Sequence, residues 1–293
     1  MLWPRILAAV LLLAVVAPLG LCDRSIPLTL GTFNIRMFPG PNTDREAVAS
    51  AIAELDADAF AVQEIVAPDE FRRVLERASA LTGRHYAVAL EPVHFPGITE
   101  TMHVGVVHDL AALELVEARL LGEFIRPRGQ PAGMLALLRT RDGRRLALAS
   151  VHFSAGDTPA RREDRVAQWS WLVAALPELR GEWAAPVIVA GDFNSTGYLV
   201  DGDPERRFID ALVEQHALQL PTAGLACSMY WQRSKTTFAV SLLDHVLAPG
   251  DLSFGPAEAL GMCAELACAP QTAAPTAWVA VSDHCPVRVP LKF

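Results

Sequence analysis

The chain has 293 residues, of which 52% are hydrophobic and 20% charged, and its formal net charge is −8. This balance excludes a disordered chain and favours a packed globule. The chain has only two lysines, Lys235 and Lys292. No basic patch is visible, which argues against a protein that grips nucleic acid through a broad cationic surface. Any phosphate group should therefore be bound locally, by arginines and a metal ion.

The N-terminus combines one charge, Arg5, with an apolar run over residues 6–21. The run is shorter than the ~20 residues that span a membrane. We interpret residues 1–22 as a signal peptide, which implies an exported protein, secreted or periplasmic. Residues 19–22 also resemble a bacterial lipoprotein box, so a lipid anchor at Cys22 is the alternative.

Four further cysteines lie in the last quarter of the chain. An even number of cysteines in an exported protein predicts two disulfides, and three pairings are open. No C-x-x-C spacing occurs, so the pattern is a weak match to a zinc site. The four cysteines are Cys227, Cys263, Cys268 and Cys285.

The first elements of the mature chain alternate between strand and helix. Residues 28–33 predict a strand that ends on Asn34, and Thr43 begins a capping box that opens a helix. Residues 57–62 predict a buried strand. The glutamate after it, Glu64, is expected to be paired or metal-bound, because an isolated charge at a buried strand end is costly.

The middle of the chain predicts a helix and then a series of strands. The helix begins at Pro68, and its apolar stripe includes Leu81. The loop over residues 91–101 is long enough to overhang a site. Asp142-Gly143 is a strong hairpin signal, and the second strand of that hairpin delivers His152. The predicted strands are 86–90, 103–108, 113–121, 134–139 and 145–153.

A long helix is predicted from Pro159. Its first turns carry Arg161, Arg162 and Arg165. Cations at the start of a helix are unfavourable with respect to the helix dipole, so these arginines are expected to interact with a group outside the helix. A solvated charged face is the alternative.

Residues 187–190 predict a fully buried strand that stops at Gly191 and delivers Asp192 and Asn194. Alternate residues of an extended chain point the same way, so these two side chains are expected to project together. A carboxylate and a carboxamide so placed suit a hard cation, or a water and a phosphate oxygen. A simple Asx turn is the alternative.

The C-terminal part predicts a helix near residues 208–215 and two more polar-ended strands. A strand over residues 241–247 is expected to carry Asp244 in its middle. After a variable loop, the apolar residues 279–281 are expected to lead a strand that delivers Asp283 and His284. No linker or composition break is visible, so residues 26–293 are read as one domain.

Acids, amides and histidines thus follow five separate strands. Oxygen ligands of this mix suit Mg²⁺, Mn²⁺ or Ca²⁺ rather than zinc. A hard ion offsets charge on a phosphate, and a histidine held by a carboxylate supplies acid–base help. The implied chemistry is hydrolysis of a phosphate ester.

Six short motifs occur in an order that resembles the endonuclease/exonuclease/phosphatase superfamily, which includes the deoxyribonuclease I-like enzymes. Together they extend over essentially the whole mature chain. The motifs are T-F-N-I-R from Thr32, V-Q-E from Val62, S-V-H-F from Ser150, G-D-F-N-S from Gly191, L-L-D-H-V from Leu242 and S-D-H-C-P-V from Ser282.

The resemblance implies an α/β (α+β) fold, a four-layer sandwich of two facing mixed β-sheets with helices on the outer faces. It also implies bound Mg²⁺ or Mn²⁺ and three sets of site residues. A phosphate-facing lysine found after the histidine in some relatives is absent here, and nearby arginines are expected to compensate. The implied metal ligands are Asn34, Glu64 and Asp283, the catalytic residues are His152, Asp192, Asn194, Asp244 and His284, and the phosphate contacts are Arg36, Arg161 and Arg165.

The resemblance leaves the phosphoester open. We expect an exported Mg²⁺-dependent phosphodiesterase, a nuclease acting on DNA or RNA, that is monomeric and needs no protein partner. A sphingomyelinase-like lipid phosphodiesterase or a phosphomonoesterase is the alternative. Tyr230 and Trp231 are the obvious aromatic residues for a lipid substrate. A non-enzymatic binding module is disfavoured, because every acid and histidine of the motifs is present.

Overall fold

The computed structural model describes residues 27–93, 99–121 and 133–293. The predicted signal peptide, with the alternative anchor at Cys22, and the centre of the 91–101 loop lie outside these ranges. Among the described residues, no helix has both the length and the apolarity needed to cross a membrane.

The described residues form fifteen strands and six helices. The strands are β1 (Pro27–Phe38), β2 (Ala59–Ile65), β3 (Tyr86–Val93), β4 (Met102–Asp109), β5 (Leu113–Leu120), β6 (Gly133–Thr140), β7 (Arg145–His152), β8 (Val187–Asp192), β9 (Leu218–Gln219), β10 (Met229–Ser234), β11 (Thr237–Ser241), β12 (Asp244–Pro249), β13 (Ser253–Phe254), β14 (Glu258–Ala259) and β15 (Val287–Lys292). The helices are α1 (Arg45–Leu55), α2 (Pro68–Thr82), α3 (Pro159–Trp183), α4 (Pro204–Gln215), α5 (Met262–Glu265) and α6 (Thr276–Ala280).

Two mixed sheets carry most of the strands. The first has the order β13-β15-β1-β2-β4-β3, with β14 also paired to β15. The second has the order β5-β6-β7-β8-β12-β9, and β10 and β11 form a separate hairpin. In each large sheet one pair of strands is parallel, β1 with β2 and β7 with β8, while the other pairs are antiparallel.

Three apolar clusters show how the layers pack. One contains residues from both sheets, such as Leu30, Ala61, Leu148 and Val246, and therefore lies between them. A second packs α1 and α2 on the first sheet, and a third packs α3 and α4 on the second. Burial of these faces is the main favourable term in folding. The predicted fold class, a four-layer sandwich with helices outside, is confirmed.

Two details of the first helices differ from the prediction. The N-cap of α1 is Asp44, whose carboxylate accepts hydrogen bonds from the N–H groups of Glu46 and Ala47. Thr43 accepts from Gly40 N instead. An aspartate satisfies the free N–H groups of a first turn as well as threonine does. Leu81 is 49% exposed because it lies in the last turn of α2, just before the helix ends.

The predicted strand over residues 241–247 is wrong. The chain breaks after Ser241, and Asp244 begins β12 instead of lying within a strand. The two halves pair with different partners, since β11 pairs with β10 and β12 with β8. The hydrophobic pattern did not indicate this break, because apolar residues lie on both sides of it.

The strand predicted to deliver Asp283 and His284 is also wrong. Residues 276–280 are helical, and β15 begins only at Val287. The two polar residues therefore precede their strand. Pro286, which has no N–H to donate, sits at the junction.

The four C-terminal cysteines form the two predicted disulfides, and the structure resolves their pairing. Cys227 is bonded to Cys268, and Cys263 to Cys285. They belong to a fourth apolar cluster that also contains Tyr230 and packs beneath the β10–β11 hairpin. One disulfide thus joins the hairpin base to the chain just after α5, and the other joins α5 to the segment that carries His284.

Candidate active site

The β7–β8–β12 strands place three of the predicted residues side by side. Asp192, the last residue of β8, is in register with His152 on β7 and with Asp244 on β12. Strands of one sheet lie about 4.8 Å apart, so these three residues form a row across the sheet edge. All three are buried.

Gly191 allows β7 and β8 to approach closely at this point. A Cβ atom added there would lie 2.1 Å from the carbonyl oxygen of Val151. No side chain fits such a contact, so the sequence requires glycine directly before Asp192.

Asn34 links the first sheet to this row. Its amide nitrogen donates to Glu64 Oε1 and to Asp192 Oδ2, both at 3.0 Å. Its amide oxygen accepts the N–H of Arg36 at 3.0 Å, and Glu64 Oε2 accepts the N–H of Met37. Two carboxylates from opposite sheets are therefore held together by one carboxamide.

Four non-glycine residues of the site have backbone φ angles in the left-handed region. Arg36 has φ 25°, Met37 51°, Glu64 63° and Asn194 52°. A shift of register between Asn34 and Phe38 accompanies the first two. Such conformations cost about 1–3 kcal/mol each and concentrate at functional sites. The bulge re-aims the chain so that two N–H groups point at Asn34 and Glu64.

His284 is oriented by Asp244. Its Nδ1 atom lies 2.8 Å from Asp244 Oδ2, and its Nε2 atom lies 3.7 Å from Asp192 Oδ2. Burial alone would lower the pKa of His284, but Asp244 and Asp192 outweigh that effect and raise the pKa well above its usual value. The pairing keeps Nδ1 protonated and turns Nε2 towards Asp192.

Ser228 holds Asp244 in turn. The serine hydroxyl donates to Asp244 Oδ2 at 2.7 Å and accepts the N–H groups of Leu243 and Asp244 at 3.0 Å. A second serine, Ser282, donates to the carbonyl of Asn34 and accepts the N–H of His284. Sequence reasoning assigned no role to either serine.

Glu64, His152 and Asp192 form the cluster best suited to a metal ion. Their ligand atoms all lie within 4.8 Å of one another, and His152 Nε2 is 3.6 Å from each carboxylate. Burial raises the pKa of Asp192 to about 6, although the charges of His284 and His152 oppose the rise. Two close carboxylates and an imidazole nitrogen are a suitable donor set for a divalent cation.

Two of the predicted metal ligands, Asn34 and Asp283, are not part of this cluster. Asn34 presents its amide nitrogen, not its oxygen, to Glu64 and Asp192. Asp283 lies beside Arg36, with 3.8 Å between its carboxylate and the guanidinium, and burial raises its pKa. The cluster of possible ligand atoms therefore comes from Glu64, His152 and Asp192, while Asn34 is hydrogen-bonded to two of them through its nitrogen.

Asn194 does not project beside Asp192. β8 ends at Asp192, and the left-handed conformation at Asn194 turns the chain. The N–H of Asn194 donates to Asp192 Oδ1 at 2.8 Å, and its amide donates to the carbonyl of Phe153. The rule of alternating side chains fails here because the residue lies beyond the strand. Asn194 fixes Asp192 from its backbone instead.

Arg36 is the predicted phosphate contact that lies closest to the acids. Its guanidinium stacks 4.3 Å from the ring centroid of Trp278 and donates to the Trp278 carbonyl at 2.8 Å. About a third of its side chain is exposed. A phosphate could reach it from solvent.

Arg165 cannot contact a substrate. The residue is fully buried, and its guanidinium binds Glu205 with contacts of 2.5 and 2.8 Å. The remaining N–H groups donate to the carbonyls of Ser154 and Gly156 and to the hydroxyl of Thr196. All five donors of the guanidinium are used. Its assignment as a phosphate contact is therefore wrong.

Arg161 is paired locally. Its guanidinium lies 3.3 Å from Asp164 on the same helix, and 39% of its side chain is exposed. Gln168, two turns further along α3, accepts the N–H of Ser154. The first half of α3 thus binds the loop after His152, which explains why cations stand at this helix start.

The chain belongs to the Endonuclease/Exonuclease/phosphatase family, whose model matches residues 31–284. Enzymes of this family hydrolyse phosphodiesters and phosphate esters, in general with divalent metals. The matched range contains every residue of the site described above.

One curated protein is similar to the chain in sequence, and several solved structures are similar to it in fold. A deoxyribonuclease of Thioalkalivibrio sp. (strain K90mix) is 26% identical over 220 residues, which are 73% of this chain and 58% of that protein. The chain thus matches a little over half the length of this curated relative. The human Nocturnin catalytic domain superposes with a TM-score of 0.65 and 16% identity, over 91% of this chain and 94% of that one. TDP2 from D. rerio gives 0.64 and 15%, over 91% and 99%.

Proposed function

We propose that this protein is an exported, Mg²⁺- or Mn²⁺-dependent phosphodiesterase that hydrolyses nucleic acid. One observation carries the proposal. A buried Asp244–His284 pair faces Asp192 at 3.7 Å, and Asp192 also borders Glu64 and His152. An oriented histidine beside an acid-rich cation site is the arrangement that phosphoester hydrolysis requires.

Each residue of the site has a role that follows from its position. Glu64, with Asp192 and His152 around it, would hold the ion, which would offset charge on the phosphate oxygens. Asn34 keeps the two carboxylates together despite their mutual repulsion. Asp192 orients the attacking water and accepts its proton. His284, held by Asp244, contacts the phosphate and donates a proton towards the leaving group.

Arg36 is the proposed cationic contact for a phosphate oxygen. Its planar guanidinium is held from one side by Trp278 and remains partly open to solvent. A fixed guanidinium presents a fork of donors to phosphate oxygens. Asp283 lies 3.8 Å from the guanidinium and leaves about a third of the Arg36 side chain exposed.

A nuclease activity is supported over the alternatives by two observations. The deoxyribonuclease named above matches 73% of this chain. Tyr230 is fully buried, so only Trp231 of the two aromatic residues is available to a lipid surface. Export is supported by the two disulfides, which persist in oxidising compartments. A single catalytic domain over residues 26–293 and a monomer complete the proposal.

The test is a substrate panel with and without metal. We expect hydrolysis of plasmid DNA, RNA and bis-p-nitrophenyl phosphate, loss of activity in EDTA, and recovery with Mg²⁺ or Mn²⁺. His284→Ala should lower kcat by about 10²- to 10⁴-fold, the usual contribution of a general acid or base.

The matched control is His85→Ala, because the His85 side chain is exposed and outside the site. This variant should keep wild-type activity. Activity that resists EDTA would disprove the metal-dependent mechanism. Turnover of sphingomyelin or of a phosphomonoester in preference to every nucleic acid would disprove the substrate class.

A further inference from the structure

The β10–β11 hairpin begins at the candidate site. Met229, the first residue of β10, forms a β-bridge with His284, and the N–H of Tyr230 donates to the carbonyl of Asp283 at 2.9 Å. Trp231 is the next residue and is 41% exposed. Because a strand rises about 3.3 Å per residue, Trp231 lies roughly 7 Å along the strand from the residue that pairs with His284.

The strand geometry directs Trp231 outwards. Tyr230 belongs to the buried cluster beneath the hairpin, with Phe238 and the disulfide cysteines. Successive side chains of a strand point to opposite faces, so Trp231 faces away from that cluster. The indole of Trp231 is thus exposed on the strand that begins opposite His284, and it lies outside the buried cluster.

Two cations follow Trp231 on the same hairpin. Arg233 and Lys235 are both exposed, and neither forms an ion pair with any residue that the structure describes. Lys235 is one of only two lysines in a chain with a net charge of −8. Most arginines elsewhere on the described surface are paired with acids, as Arg45 and Arg139 are. The hairpin is thus a local cationic surface on an acidic protein.

Trp278 connects this hairpin to Arg36. The indole N–H of Trp278 donates to the carbonyl of Tyr230 at 2.8 Å, and the Arg36 guanidinium stacks on the indole ring. Trp278 also packs against Phe238 and the buried cluster, on the hairpin face opposite Trp231, so Trp278 and Arg36 do not belong to the exposed cationic surface. We call the exposed set the hairpin track. Its members are Trp231, Arg233 and Lys235.

We propose that the hairpin track binds single-stranded nucleic acid next to the bond that is cleaved; this inference rests on the proposed nuclease function. Aromatic faces stack on bases of any sequence, and flanking cations contact phosphates. The polar turn residues Ser234 and Thr236 argue against a lipid surface, because a membrane-inserting tip needs apolar residues there. The track attracts phosphates locally, although the net charge of the whole chain is negative.

The test measures binding apart from chemistry. A fluorescein-labelled twelve-nucleotide oligothymidylate is titrated with the full-length protein in EDTA, and the Kd is read from anisotropy at several salt concentrations. Trp231→Ala should weaken binding by about 5- to 100-fold, the range found for loss of one stacked base. Arg233→Gln/Lys235→Gln should reduce the slope of log K against log salt by about 1.4, because each lost phosphate contact removes about 0.7.

The matched control is Arg73→Gln/Lys292→Gln, which removes two exposed cations far from the hairpin in the chain. It should leave the Kd and the salt slope unchanged. With Mg²⁺ present, the hairpin variants should lower kcat/KM for the oligonucleotide relative to that for bis-p-nitrophenyl phosphate. Circular dichroism checks that each variant is folded.

Three results are decisive. Equal Kd values for the wild type and both hairpin variants would overturn the proposal while leaving the nuclease function intact. The proposal would also be overturned if the hairpin variants lost binding to sphingomyelin vesicles but bound the oligonucleotide as tightly as the wild type does. That result would assign the hairpin to a lipid surface. Failure of the wild type to hydrolyse any phosphodiester would overturn the proposed function itself, and the binding data would remain as a separate measurement.

Discussion

Replacing Arg165 by methionine tests whether this residue supports the site or contacts the substrate. The guanidinium is fully buried, and each of its five donors has a partner. Methionine keeps much of the volume but leaves the Glu205 carboxylate buried without its cation. Removal of one partner from a buried ion pair costs about 3–5 kcal/mol. The carbonyl oxygens of Ser154 and Gly156 also lose their donor, which places the expected loss at the upper end of this range.

The assay is urea denaturation followed by circular dichroism. We expect Arg165→Met to lower the free energy of unfolding by about 4–5 kcal/mol, and Arg165→Met/Glu205→Met to recover part of that loss, because no charge is then left buried alone. Arg180→Met on the same helix is the matched control. Its ion pair with Asp251 is solvent-exposed, so it should cost less than about 1 kcal/mol.

A different outcome would refute this account of Arg165. If Arg165→Met changed the unfolding free energy by less than about 1 kcal/mol but raised the KM for bis-p-nitrophenyl phosphate, the guanidinium would be a substrate contact. A double variant no more stable than Arg165→Met would show that Glu205 is not the group left uncompensated.

Two further predictions concern buried residues near the site. Burial lowers the pKa of His245 to about 4, below the usual 6.5, so the unfolded chain alone binds a proton as the pH falls from 6.5 to 4. Stability is lost over that interval, by about 3 kcal/mol in total. His245→Phe should remove this part of the acid sensitivity in urea melts at pH 7 and 4.5, and an unchanged difference between the two melts would contradict it. Gly191→Ala should force β7 and β8 apart and reduce both stability and activity, whereas Gly181→Ala on open helix surface should stabilise by about 0.5–1 kcal/mol. Equal effects of the two substitutions on thermal unfolding would disprove the close contact at Gly191.

Local patterns were sufficient where the determinant of structure lies within a few residues. The apolar run before Asp192 predicted β8, and Asp142-Gly143 predicted the hairpin of β6 and β7. The positions of His152 and Asp192 followed, because each ends a buried strand. Motif order then predicted that the other acids and histidines would join them, as Asn34 and Glu64 do.

Patterns failed where tertiary contacts decide the outcome. Residues 279–281 are apolar and β-branched at two positions, which favours a strand, yet α6 extends to Ala280. Asp44 N–H donates to the carbonyl of Ala280, and the pairing with β1 begins only at Val287, directly after Pro286. A contact across more than 200 residues leaves no periodic signal.

The role of Arg165 shows the same limit in a charged residue. Sequence shows a cation at a helix start that opposes the dipole, and this correctly indicates a partner outside the helix. It does not indicate which partner. Glu205 lies 40 residues further along, at the start of α4, and only the packing of α3 on α4 brings the two together. A phosphate and a buried glutamate are equivalent explanations until that packing is known.

The charge balance of the site favours a bound cation. Glu64, Asp192, Asp244 and Asp283 converge from both sheets, and Arg36 is the fixed cation beside them. The positive charge of His284 offsets part of the excess negative charge, because the neighbouring acids favour the charged form of this histidine. Asn34 holds two of the carboxylates together by hydrogen bonds but carries no charge to offset them. A bound divalent ion would offset the remaining negative charge, so that the phosphate of a substrate would meet a neutral or positive site instead of a negative one. The convergence of these acids would thus couple substrate binding to metal binding.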